Sequence, residues 1–260
     1  MNFLCQQSAL SELQNLAENQ KHSILIEGPE GCGKTYLAAV YSKLLGISNF
    51  SLVDPNVQAI RECMDECRKV GTPVVICIEN LDLGVIAASY TLLKFLEEPT
   101  KNVYIVVTCR NLSYIPDTII SRSVCVCVSP PIDSDIQMYS IAKAPELYNS
   151  LKNTTLWSCV RTFRDADTIL GMKQAQLDYF NELTSITRFT DSVSNLVWKI
   201  SHYEDNTETP IELVIMYISK LCGTNHIQKA AISCIQDINS GRIATHAAIS
   251  RFMFECKYCE

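Results

Sequence analysis

Eight consecutive residues near the N-terminus have the spacing of a phosphate-binding loop. They read Gly28-Pro29-Glu30-Gly31-Cys32-Gly33-Lys34-Thr35 and fill the pattern G-x-x-x-x-G-K-[ST] completely. The glycines allow the backbone to aim successive N–H groups at phosphate oxygens. The lysine supplies a cation for the β- and γ-phosphates, and the Thr35 hydroxyl is a ligand for Mg²⁺. We therefore expect these eight residues to bind ATP with Mg²⁺.

A carboxylate later in the chain is a candidate second ligand for the same metal ion. The apolar run Val74–Ile78 leads directly into Glu79 and Asn80. Phosphate-binding loops of this kind work with an acid at the end of a neighbouring strand, which holds the Mg²⁺ shell. We expect Glu79 to share the metal ion with Thr35. The alternative is that Glu79 is an ordinary solvated residue at a strand end.

Hydrophobic patterning places the loop between a strand and a helix, as its chemistry requires. Apolar strands alternate with helices up to about residue 130. The predicted strands are Ser23–Glu27, Phe50–Val53, Pro73–Ile78, Val103–Thr108 and Val124–Val128. The predicted helices are Ser8–Asn19, Lys34–Leu45, Val57–Val70 and Leu83–Leu96. This alternation predicts an α/β domain with a parallel five-stranded sheet covered on both faces.

The pattern changes at Ser129-Pro130-Pro131, since two prolines continue neither a strand nor a helix interior. Only helices are predicted beyond this point: Asp133–Ala142, Ala144–Leu151, Asp165–Leu183, Asp191–His202, Pro210–Leu221, Asn225–Ile238 and Ile243–Phe254. We expect a nucleotide-binding domain over 1–131 and two helical domains over 132–184 and 185–260. The stretch Arg188–Thr190 lies close to the second boundary.

Composition limits the partners and the location. The net charge of −6 over 260 residues excludes a general basic coat, so any DNA contact must come from a local patch or a neighbouring subunit. The 13 cysteines, several of them inside apolar strands, are typical of free thiols in a reducing compartment. The N-terminal residues lack the features of a signal peptide, and no apolar run is long enough for a membrane span. We expect a cytoplasmic protein with no membrane partner.

Three further segments resemble one family of ATPases. Thr91–Pro99 (TLLKFLEEP) is similar to the "ALLKTLEEP" segment of AAA+ clamp-loader subunits, and Ile115–Ser123 (IPDTIISRS) to their "LPxTIxSRC" segment. Arg161–Ala166 (RTFRDA) is similar to the "GSxRDAL" element of their lid domain. The chain thus resembles the gamma and delta-prime subunits of bacterial DNA polymerase III and the replication factor C proteins, over roughly residues 3–182.

This resemblance implies roles at matching positions. Arg122 would be an arginine finger, directed at the γ-phosphate bound by a neighbouring subunit, and Arg164 would reach the γ-phosphate of its own subunit. Thr108 would be the polar sensor at the end of its strand. The alternatives are that Arg122 is a surface arginine and that Arg164 pairs with a nearby acid. The resemblance also implies that 132–184 is a lid domain and 185–260 a collar-like oligomerisation domain.

One position departs from the family in a way that affects catalysis. Asn80 replaces the glutamate that usually follows the metal-binding acid. An amide orients a water molecule but cannot act as a carboxylate base. We therefore expect intact nucleotide binding with slow hydrolysis, unless Asp82 compensates. The four-cysteine zinc module of some relatives is also missing, because only Cys63 and Cys67 lie between the loop helix and the acidic strand.

The resemblance implies an ATP-binding subunit of a sliding-clamp loader in DNA replication. Its expected partners are other clamp-loader subunits, the sliding clamp and primer–template DNA. A second hypothesis, favoured by Asn80, is a non-hydrolysing structural subunit like delta-prime, which donates Arg122 to a neighbour. A third is an unrelated P-loop NTPase, such as a small kinase or a different AAA+ ATPase that remodels DNA.

Overall fold

The computed structural model describes residues 6–98, 102–186, 210–241 and 243–258. The chain forms two compact units. The first consists of Met1–Tyr139 together with Thr162–Arg164, and the second consists of Ser140–Arg161 and Asp165–Glu260. The predicted helix Asp191–His202 and the predicted boundary at Arg188–Thr190 lie outside the described residues.

The first unit is built on a parallel five-stranded sheet in the order β2-β3-β4-β1-β5. The strands are β1 (Ser23–Glu27), β2 (Phe50–Val53), β3 (Val74–Ile78), β4 (Val103–Cys109) and β5 (Val124–Cys127). The predicted α/β sheet is confirmed, with strand bounds that agree within one residue. β1 lies between β4 and β5, so the residues that directly follow β1 lie between the carboxyl ends of these two strands.

Helices cover both faces of this sheet. They are α1 (Gln7–Glu18), α2 (Lys34–Leu44), α3 (Val57–Val70), α4 (Ile86–Glu97) and α5 (Asp117–Ile120). Side chains alternate between two cores: Leu25 of β1 packs with the α3 and α4 side, whereas Ile24 and Ile26 pack with the α1 and α2 side. All three are fully buried. This double burial is why the strands read as continuous apolar runs in the sequence.

The second unit is helical. α6 (Asp133–Lys143) begins in the first unit and continues into the second, and it is followed by α7 (Pro145–Leu151), α8 (Phe163–Leu170), α9 (Gln174–Ile186), α10 (Ile211–Cys222), α11 (Asn225–Ser240) and α12 (Thr245–Tyr258). Fully buried residues such as Phe180 and Phe252 form its interior. The Tyr217 hydroxyl donates a hydrogen bond to the Phe180 carbonyl oxygen (3.1 Å) and ties α10 to α9.

The single helix predicted over Asp165–Leu183 is wrong, because the chain forms two helices there. α8 ends at Leu170, and Gly171 follows, the residue with the weakest helical preference apart from proline. α9 then has its own start signal. The Gln176 side chain accepts a hydrogen bond from the Lys173 backbone N–H (2.8 Å), the reciprocal half of a capping box.

Two smaller expectations are also corrected. The helix predicted from Leu83 begins at Ile86 instead, after a short 3₁₀ turn at Leu81–Leu83. Among the cysteines inside the predicted apolar strands, Cys127 is exposed and Cys125 is half-buried, because β5 is an edge strand. Within the described ranges, no helix has both the length and the apolar character needed to cross a membrane.

Candidate nucleotide-binding site

The loop Gly28–Thr35 lies at the carboxyl end of β1 and leads directly into α2. The Gly28 N–H donates to the carbonyl oxygen of Cys109 at the end of β4 (3.2 Å), which anchors the start of the loop. Gly31 and Gly33 have φ angles of 73° and 93°, in the left-handed region that glycine adopts at little cost. The spacing of these glycines therefore matches the two residues that take a left-handed conformation before the helix begins.

Lys34 is held inside the loop. Its side chain is only 7% exposed, and its Nζ atom donates to the carbonyl oxygens of Gly28 (2.7 Å) and Pro29 (2.8 Å). A buried ammonium needs such partners, since an unpaired one is strongly disfavoured. The lysine thus presents a fixed cation at the start of α2, where the helix N-terminus also favours anions.

Cys32 points into the core beneath the loop and is fully buried. Burial raises the pKa of its thiol, and the nearby charge of Lys34 opposes this only in part. The residue therefore stays a protonated, small apolar side chain. It fills space under the loop and leaves the phosphate side to backbone N–H groups.

Thr35 and Glu79 meet although 44 positions separate them in the sequence. The Thr35 hydroxyl donates a hydrogen bond to Glu79 Oε1. β3 positions Glu79 at its carboxyl end, and α2 positions Thr35 in its first turn. A hydroxyl and a carboxylate are hard oxygen donors, the type that Mg²⁺ prefers, and Mg²⁺ is commonly held by only one or two protein groups together with substrate phosphates.

Among the described residues, no group of three or more His, Cys, Asp or Glu side chains is arranged to hold a metal ion. As two hard oxygen donors, Thr35 and Glu79 would suit a Mg²⁺ ion that is bound together with a nucleotide. Mg²⁺ held there would offset the negative charge of the bound phosphates.

Asn80 and Thr108 lie next to this pair and contact each other. The Asn80 backbone N–H donates to the Thr108 hydroxyl (2.9 Å), and Thr108 is only 1% exposed. Asn80 adopts φ 47° and ψ 54°, a left-handed conformation that asparagine tolerates better than most residues. The asparagine thus suits the backbone at this position, independently of any catalytic effect.

Asp82 contacts the end of β4. Its Oδ2 atom accepts the backbone N–H of Arg110 (3.1 Å), while its Oδ1 atom is buried and has no hydrogen-bond partner among the described residues. The side chain connects the turn after β3 to the end of β4. Asp82 is one of the charges that raise the pKa of the buried Cys109 thiol, after burial itself.

Arg164 contacts the loop from a distant part of the sequence. The Phe163 N–H donates to the Gly31 carbonyl oxygen (3.1 Å), and a Cβ atom on Gly31 would lie 2.6 Å from Thr162 Oγ1. The Arg164 guanidinium binds Glu30 Oε1. Glu30 Oε2 also binds Arg110, at 2.9 Å from its Nη2 atom.

Arg122 lies at the other end of the sheet. The Ser123 hydroxyl lies 2.8 Å from that of Ser23, the first residue of β1, whereas the loop follows the last residue of β1. A five-residue strand alone separates the two ends by about 13 Å. The Arg122 guanidinium binds Glu97 (3.0 Å) and donates to the Thr118 carbonyl oxygen (3.0 Å). It therefore cannot serve the loop of its own chain.

Known proteins resemble this chain in part of its sequence and in its fold. Residues 54–132 match the family model described as "DNA polymerase III, delta subunit". No curated protein sequence matches the chain. A crystal structure of a DNA polymerase III gamma subunit-related protein from Thermotoga maritima is similar, with a TM-score of 0.57, 15% identity, and coverage of 96% of this chain and 98% of that one.

The Thermotoga maritima RuvB Holliday junction branch migration motor is also similar, with a TM-score of 0.54, 13% identity, and coverage of 92% of this chain and 78% of that one. At these identities the two structures show the fold. The family model adds the sequence signal. The chain is thus similar to the DNA polymerase III delta-subunit family over residues 54–132, and it has the fold of these two solved structures.

The predicted site residues fall into two groups. The loop, Glu79, Asn80, Thr108 and Arg164 gather at the carboxyl end of the sheet, and Arg122 lies at the amino end. Sequence reasoning gave no role to Arg110 or Glu97. Arg110 lies two positions after Thr108, and this place at the end of β4 could have indicated that it lies near the site. Glu97 lies inside the TLLKFLEEP segment, whose resemblance could have drawn attention to it.

Proposed function

We propose that this protein is an ATP-binding subunit of a DNA-polymerase clamp loader. The observation that carries the proposal is the separation of two half-sites on one sheet. A complete phosphate-binding loop, with Thr35 against Glu79, lies at the carboxyl end of β1. The candidate arginine finger Arg122 lies at the amino end. Such a subunit completes its chemistry only beside another subunit, and this arrangement suits a ring or spiral.

In this proposal the loop N–H groups and Lys34 hold the phosphates of ATP, while Thr35 and Glu79 hold Mg²⁺. Thr108 fixes the backbone of Asn80 next to the γ-phosphate, and Arg164 reaches the same phosphate from its position against Gly31. Arg122 leaves Glu97 and offsets charge that develops in the transition state at the neighbouring subunit's site.

The proposed partners are other clamp-loader subunits, a sliding clamp and primer–template DNA, in the cytoplasm. Apolar side chains at the start of α4 supply one contact surface for protein partners. Leu83, Val85, Ile86 and Tyr90 are all at least 59% exposed, and adjoining exposed apolar side chains commonly mark interaction sites. We assign residues 132–184 to the lid and residues 185–260 to the oligomerisation domain.

A second candidate is a nucleotide-binding structural subunit of the same complex that does not hydrolyse ATP. Asn80 favours it, because the position that usually carries the catalytic carboxylate has only an amide. The general remodelling hypothesis is less favoured, since the family model that matches residues 54–132 describes a polymerase III subunit.

The test is nucleotide binding and hydrolysis by the purified full-length chain. Titration calorimetry with ATP and Mg²⁺ should show binding that Lys34→Ala abolishes. Hydrolysis is then measured for the chain alone and with candidate partner subunits, clamp and primed DNA. Turnover that appears only in the assembly supports a motor subunit, and binding without turnover supports the structural subunit. Absence of ATP binding by the wild-type chain would refute both.

A further inference from the structure

The carboxylate of Glu30 binds two arginines from distant parts of the chain. Its Oε2 atom lies 2.9 Å from Arg110 Nη2, and its Oε1 atom contacts Arg164 Nη1. Each carboxylate oxygen thus has its own guanidinium. The side chains are 39% (Arg110), 46% (Glu30) and 63% (Arg164) exposed, so a solute can reach all three.

This cluster lies at the carboxyl end of the sheet, next to the proposed phosphate-binding loop. Glu30 is the third residue of the loop, four positions before Lys34. Arg110 follows the end of β4, where the Cys109 carbonyl oxygen anchors Gly28. Arg164 lies against the loop as well, since a Cβ atom on Gly31 would come within 3.2 Å of the Arg164 Cβ. Both guanidiniums are therefore anchored to elements that also position the loop.

The chemistry of the cluster suits a phosphate as well as it suits Glu30. A guanidinium binds carboxylates and phosphates with the same planar set of donors. Two guanidiniums that share one carboxylate neutralise more charge than that carboxylate carries. A terminal phosphate, with greater negative charge and three oxygens, satisfies the two arginines more completely than Glu30 does.

We propose that Arg110 and Arg164 together form a site for the terminal phosphate of a nucleoside triphosphate, and that Glu30 occupies this site as an internal competitor. The inference rests on the proposed ATP binding and adds two elements to it. Arg110 becomes a nucleotide-binding residue, and Glu30 makes the site discriminate between nucleotides. A diphosphate lacks the γ-phosphate that displaces Glu30, so competition weakens ATP binding and leaves ADP binding unchanged.

The experiment measures the dissociation constants of ATP and ADP, each with Mg²⁺, for the full-length chain by calorimetry. Glu30→Gln removes the competing charge, and we expect ATP to bind about 3- to 10-fold more tightly while ADP is unaffected, which is the scale of exposed ion pairs. Arg110→Gln should weaken ATP binding several-fold and leave ADP unchanged. Glu18→Gln, on the exposed surface of α1, is the matched control.

A second comparison separates competition from simple repulsion between Glu30 and the polyphosphate. Glu30→Gln is introduced into a chain that already carries Arg110→Gln and Arg164→Gln. Competition predicts no further gain in ATP affinity there, because the arginines that Glu30 withholds are gone. A gain that persists in this background, or an equal gain for ADP, would overturn the proposal, as would unchanged ATP affinity in Arg110→Gln.

These results are distinguishable from failure of the proposed function. If the wild-type chain binds neither nucleotide, the ATP-binding proposal itself is wrong. If it binds both and Lys34→Ala binds neither, but Glu30→Gln leaves the ratio of ATP to ADP affinity unchanged, only the competition is wrong. Thermal unfolding of each variant confirms that the comparison is made between folded proteins.

Discussion

Replacing Asn80 with glutamate tests whether this one residue limits ATP hydrolysis. The position follows Glu79 directly, and Glu79 contacts Thr35 at the proposed metal site. A glutamate there introduces a carboxylate base beside the γ-phosphate. We expect Asn80→Glu to raise the hydrolysis rate of the assembled complex and to leave ATP binding unchanged.

The magnitude has two components. A positioned general base contributes about 10²–10⁴ to a rate, so an increase of about 100-fold is the lower expectation. The second component is a loss of stability. Asn80 has φ 47° and ψ 54°, and a residue other than glycine or asparagine in this left-handed conformation lowers the free energy of unfolding by roughly 1–2 kcal/mol. The variant should therefore be faster and about 1 kcal/mol less stable.

Asn80→Gln is the matched control, because it has the length of glutamate and the same backbone penalty without the carboxylate. Both variants are compared with wild type by single-turnover hydrolysis at saturating ATP and Mg²⁺, with unfolding by denaturant measured in parallel. Equal rates for the glutamate and glutamine variants, with intact ATP binding, would refute the reasoning. Rapid turnover by the unmodified protein would refute it too.

Three further predictions follow from single contacts. Gly31→Ala should lower the free energy of unfolding of the first unit by more than about 2 kcal/mol, because it adds a close contact with Thr162 Oγ1 to the left-handed backbone penalty. Gly46→Ala is the control, because Gly46 has φ +71° but no described atom lies within 4 Å of its added Cβ. The difference between the two variants in denaturant unfolding gives the cost of the Thr162 contact. Arg122→Ala should bind ATP normally yet lower hydrolysis in the assembly about 10³-fold or more, and an equal loss of ATP affinity would contradict action in trans. A hydrogen bond from Cys256 lowers the pKa of Cys222 to about 7. Alkylation of Cys222 by iodoacetamide, followed by mass spectrometry, should therefore have a pH midpoint near 7, and this midpoint should rise in Cys256→Ala.

Much of the first unit could be predicted because its signals are local. The sheet is buried on both faces, so its strands are continuous apolar runs, and the loop between β1 and α2 has a fixed glycine spacing. Prediction failed where a helix pattern continued across a break. The apolar spacing over 165–183 suits one helix, and it took the Gln176 contact with the Lys173 N–H to show that a second helix starts there.

The sequence by itself determined the residue types of the nucleotide site, since phosphate and Mg²⁺ demand particular groups at particular spacings. Tertiary structure decided which of those groups meet. Parallel strands bring Thr35 to Glu79 and Asn80 to Thr108 at the carboxyl end of the sheet. They place Arg122 at the opposite, amino end. The pairing of Glu30 with Arg110 and Arg164 joins residues up to 134 positions apart. No local pattern specifies such a contact, because it depends on where three separate elements end in space.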